Sequence, residues 1–156
     1  MPSTESAVRE LQEFAVLWSV GEAGAEEAVA AACAALVAGL DGPALRELAA
    51  CSQGEAGYRV PELLPLALEE LGLVFFPLGS GAAEEAAVRV FAGRLLGGEW
   101  TAREFADQVH SRFGHGMPMV ARLAMLRDEY NLFDYGGRPA PEIDAEVEAE
   151  ARRLVQ

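Results

Sequence analysis

Apolar residues in this chain return every three to four positions and the intervals close on glycine, while alternation of β-branched with polar residues over strand length is nearly absent. That period restricts the chain to helices. Alanine (29), glutamate (20) and leucine (19), all good helix formers, dominate its 156 residues. The expected fold is all-α, a single-domain antiparallel helical bundle of about eight helices whose C-terminal half is a four-helix-bundle-like unit. Residues 1–80 form an N-terminal helical half and residues 81–156 a second, the two making one compact unit. A domain of this size buries roughly 68 to 70% of its extended surface, so it needs no metal or disulfide staple.

Helix boundaries follow from caps and breakers. The first helix spans Thr4 to Val20, with Val8, Leu11, Phe14, Leu17 and Trp18 as its inward stripe, and the second spans Ala25 to Ala38, almost wholly small residues. Asp41 caps a short helix opened by Pro43, which ends near Cys51. Residues 52–58 read as a polar loop, after which Pro61 starts a helix closed by Gly72. Leu73 to Leu78 reads as a buried connector, because its proline opposes a central strand. Ser80 caps a helix to Leu96, and Thr101 with Glu104 forms a T-x-x-E capping box before another. Further helices begin at Pro118 and at Pro141, the last running to Val155 with Arg152 and Arg153 in its final turn.

The formal net charge is −13, and all twelve basic residues are arginine. Nothing resembles a polybasic arm, which argues against direct binding of nucleic acid or anionic lipid. The longest uncharged runs, Ala28 to Leu40 and Leu71 to Ala83, are thirteen residues each, too short for a membrane span. The N-terminus carries acid where a secretory signal carries base, so a cytoplasmic location is expected. Cys33 and Cys51 lack metal-ligand or disulfide-framework spacing and read as reduced, mostly buried thiols.

Catalytic and metal signals are sparse. Glu104, Asp107 and His110 fall at i, i+3, i+6, with His115 close behind, but a carboxylate-bridged metal bundle needs a Glu-x-x-His motif on each of two helices. One Asp-x-x-His stands alone, so no metal and no cofactor are expected. Cys33, Cys51, Ser52 and Ser80 have no nucleophile context, and Gly79-Ser80-Gly81 lacks the lysine of a phosphate loop. No catalytic residue is assigned.

The most unusual composition lies at 127–137, where Asp128, Glu129 and Asp134 are interleaved with Tyr130, Phe133 and Tyr135. Aromatics that anchor beside acids that steer are the mixture of a protein-binding surface. From about Ala87 onward, three stretches, VFAGRLLGGEWTAREFA at 90–106, LAMLRDEY at 123–130 and IDAEVEAEARRLV at 143–155, resemble the colicin D immunity protein family. Residues 1–80 have no counterpart there. The resemblance implies a small helical inhibitor of a tRNA-cleaving toxin, whose acids near the end of the penultimate helix and in the next loop fill the toxin's basic active site in place of phosphate. Carried over, Asp128 takes the helix position, replacing a longer Glu, and Asp134 the loop position with a one-residue shift.

The expected function is therefore that of an immunity-type inhibitor which does no chemistry and binds a basic nuclease toxin through Asp128, Glu129, Tyr130, Phe133, Asp134 and Tyr135. Two other classes compete. One is a small helical enzyme or ligand-binding protein using the segment 130–135 and His110; the other is an accessory module that self-associates through the helix around Ala28 to Ala38. Monomer or weak homodimer is the expected state.

Overall fold

The structure, a computed structural model, describes residues 3–132 and 135–156. It is all-helical: eight α-helices and one 3-10 turn, with no strand among the described residues. The chain divides into two compact units, Met1–Glu84 and Glu85–Gln156, so the break falls inside a helix rather than ahead of it at 80/81.

The first unit contains α1 (Thr4–Ser19), α2 (Ala25–Val37), α3 (Pro43–Ala49) and α4 (Gln53–Glu70). Its core is Leu11, Leu45, Leu48, Val60, Leu64 and Leu68, interleaved with buried alanines. On α2 the buried residues are all alanine, Ala28, Ala32 and Ala35, which lets the helix approach α1, α3 and α4 closely at the expense of side-chain volume. Cys33 falls off that face and is exposed, and Cys51 is half-buried, so the expectation of buried thiols fails for Cys33.

The start of α4 and the cap of α3 differ from the sequence reading. The α4 helix begins at Gln53, not at Pro61, because Ser52 and Glu55 form a capping box: Ser52 Oγ accepts from the Glu55 N–H at 3.3 Å and the Glu55 carboxylate accepts from the Ser52 N–H at 3.1 Å. Hydrogen bonding to its own carboxylate, from the Ser52 side chain first and then from the Ser52 backbone N–H, holds the Glu55 carboxyl below its ordinary range. Pro61 and Pro65 sit inside the helix, where each removes a bond to the carbonyl four residues earlier. Gly57 and Pro61, which own those carbonyls, are exposed residues, so both prolines act on the solvent side of the helix. At α3, Asp41 does not cap but pairs with Arg46 at 2.8 Å; the Ala44 N–H instead donates to the Glu70 carboxylate, at 2.9 and 3.1 Å to its two oxygens.

Residues 73–77 are irregular, as the proline requires. The Gln12 side chain satisfies both polar groups of Val74, accepting from its N–H and donating to its carbonyl, each at 2.8 Å, as a neighbouring strand would. Ser80 then caps α5 (Gly81–Leu96), its Oγ accepting from the Ala83 N–H at 3.1 Å.

In the second unit the remainder of α5 is followed by α6 (Ala102–Phe113), a 3-10 turn (Pro118–Val120), α7 (Ala121–Leu132) and α8 (Ala140–Leu154). The Thr101 capping box opens α6 as expected. Helices α6, α7 and α8 pack against one another pairwise, and Phe91, Phe105, Leu123, Leu126 and Ile143 are fully buried. Among the described residues, no helix is long and apolar enough to cross a membrane.

Candidate functional site

The phase of α7 decides which of the expected contacts face outward. Leu123, Ala124, Leu126 and Tyr130 are buried, which turns Met125, Asp128 and Leu132, at i, i+3 and i+7, into one outward row. Met125 and Leu132 are each 55% exposed and the Asp128 side chain is 49% exposed. Tyr135, just beyond the helix, is 87% exposed. Phe133 and Asp134 lie outside the described residues.

Glu129 and Tyr130, expected as contacts, are instead ties within the unit. Tyr130 is buried; its hydroxyl donates to the Asp144 carboxylate on α8, and the Arg103 guanidinium lies 5.4 Å from the ring centroid. Burial first, and then the bond to Asp144, pushes the phenol pKa well above its ordinary value. An aromatic held in this way fills the core rather than a partner's pocket. Glu129 accepts from Arg138, whose guanidinium also donates to Glu146 on α8, and Glu146 receives Arg122 at 3.3 Å. Arg138, by hydrogen bonding, holds the Glu146 carboxyl below its ordinary range. The pair neutralises Glu129, which removes it as a free steering charge.

Asp128 has the least expected neighbours. His115 Nε2 lies 3.4 Å from its Oδ2, His110 Nε2 3.9 Å from its Oδ1, and Arg127 Nη1 3.7 Å from Oδ1. The two imidazoles meet through their Nε2 atoms at 3.2 Å. Gly114 makes this possible: it ends α6 at φ +60°, a left-handed value natural to glycine, and its N–H donates to the His110 carbonyl at 2.8 Å. The chain thereby reverses and carries His115 back to His110.

The acidic row read from the sequence comes apart. Glu104 is consumed by the capping box, accepting from the Thr101 N–H at 2.9 Å, and Asp107 pairs with Arg127 at 3.1 Å. These acids, with Glu99, Trp100, Gln108 and Ser111, line a cleft along α6 that includes neither Tyr130, Leu132 nor Tyr135. His115 beside Asp128 and the exposed pair Met125 and Leu132 are the features missed. The α7 phase, given Leu123, Leu126 and Tyr130 as inward residues, was the available signal for the exposed pair. For His115 it was the glycine at 114.

Comparison with family models, curated proteins and solved structures finds no match for this chain. The likeness to the colicin D immunity family rests on the three quoted stretches alone.

Proposed function

We propose that the chain is a protein-binding inhibitor that engages a basic protein, of the nuclease-toxin class, through the outer row of α7 and the segment after it. One observation supports this most: Met125 and Leu132 flank a half-exposed carboxylate on a single helix face, with Tyr135 exposed just beyond. Large apolar side chains left in water beside an acid are what an interface with a basic, partly apolar partner recovers on binding. The net charge of −13 adds long-range attraction. In this reading the protein performs no chemistry and meets its partner in the cytoplasm. The contact set is revised from the sequence expectation: Met125, Asp128, Leu132 and Tyr135 make the contacts, while Glu129 and Tyr130 hold the surface in shape.

Affinity capture with the immobilised protein tests this. The expected captive is a strongly basic protein whose affinity falls at least about tenfold with Leu132→Ala plus Tyr135→Ala, and falls as salt is raised. Capture that is indifferent to both changes would sink the proposal.

A further inference from the structure

We propose that His110, His115 and Asp128 form a binding site for one divalent transition-metal ion of the zinc type. The three side chains come from the last turn of α6, the reversal after it, and α7. One ligand atom from each can be chosen so that all lie within 4.8 Å of one another. The closest approaches are 3.2 Å between the two Nε2 atoms and 3.4 Å from His115 Nε2 to the carboxylate, with 3.9 Å from His110 Nε2. A tetrahedral ion with Zn–N and Zn–O bonds of about 2.0–2.1 Å holds its ligand atoms about 3.3 Å apart. The 3.4 Å approach is to Oδ2 of Asp128 and the 3.9 Å approach to Oδ1, so with one carboxylate oxygen as ligand the three atoms lie within 4.8 Å of one another, and side-chain rotation brings them to the tetrahedral spacing when an ion binds.

Orientation supports the same reading. The imidazole rings stand at 87° with centroids 5.0 Å apart, so they meet edge to face instead of stacking. Two imidazoles meeting through Nε2 share at most one N–H···N bond, whereas an ion between them uses both lone pairs. Around them Arg127 touches Asp128 and is itself held by Asp107 at 3.1 Å. With neutral imidazoles, Asp107, Arg127 and Asp128 together carry one net negative charge, which suits a dication. Arg127 also positions the Asp128 carboxylate, the role outer partners play at metal sites.

Two imidazoles and one carboxylate select zinc, nickel, cobalt or copper over magnesium and calcium, which prefer all-oxygen sets. Asp128 is half-exposed and His115 exposed, which leaves room for water at the fourth position. The site does not depend on the partner proposed above and shares only Asp128 with it. Cys33 and Cys51, the other soft donors, belong to the first unit.

Tag-free protein stripped with chelator and titrated with Zn2+ in a calorimeter, then with Co2+ followed by visible absorption, tests the site. The expected result is one ion per chain and the absorption bands of four-coordinate cobalt. His115→Ala and His110→Ala are each expected to weaken binding at least about tenfold, while Cys33→Ser plus Cys51→Ser leaves it unchanged. Circular dichroism of His115→Ala establishes that the variant is folded, since the side chain it loses is exposed. No saturable binding of Zn2+, or binding that survives His115→Ala at full affinity, overturns the proposal. So does loss of binding in the cysteine double variant alone.

Discussion

Three consecutive residues, Asp128, Glu129 and Tyr130, have three different fates. A helix turns about 100° per residue, so neighbours in sequence cannot share a face. Asp128 faces outward beside His115, Glu129 is drawn into the Arg138 pair, and Tyr130 enters the core to meet Asp144. The tyrosine carries a testable consequence. Tyr130→Phe keeps the ring and removes only the hydroxyl that serves the Asp144 carboxylate, so it is expected to cost about 1–2 kcal/mol in denaturant unfolding. Because the phenol pKa is raised in the folded protein, the unfolded chain ionises first on the alkaline side. The tyrosine's contribution is complete below its ordinary value of 10.0 and is lost as pH rises beyond it. Melts between about pH 9 and pH 11 are expected to show the wild type losing stability faster than Tyr130→Phe. Parallel decline of the two proteins would contradict the assigned bond.

At the scale of elements, helix ends depend on groups both near and far. The Ser80 cap and the Thr101 box were legible because every participant lies within four residues. The Ser52 box is equally local, yet a proline at the first helical position is also a start signal, and α4 holds Pro61 in its interior instead. Pro43 marked the start of α3, but its cap was not legible, since the carboxylate arrives from Glu70 at the far end of α4. Glu70→Ala is therefore expected to cost about 1 kcal/mol in urea unfolding, and Asp41→Ala much less. The reverse order would restore Asp41 as the cap. The candidate site divides in the same way. Periodicity makes the outward position of Asp128 readable, but its histidine neighbours depend on a reversal at Gly114, and the neutralisation of Glu129 depends on Arg138, nine residues away.

For the whole molecule, most of the excess charge and the outer row of α7 lie in different stretches of the sequence. Residues 1–100 carry fifteen acids against five arginines, whereas residues 101–156 carry ten against seven, several of them paired across α6, α7 and α8. On the proposed reading, long-range attraction comes mainly from the first stretch, and the contact row lies in the second. Steering tolerates this arrangement, because a field acts from charges outside the interface. Hydroxyl-radical footprinting of the protein with and without its captured partner tests whether a partner covers the outer row of α7. Met125 and Tyr135, both exposed and intrinsically reactive, are expected to become protected in the complex, while Tyr58, exposed on α4 of the first unit, keeps its reactivity. Protection of Tyr58 with Met125 and Tyr135 left fully reactive would place the interface on the other unit and contradict the account.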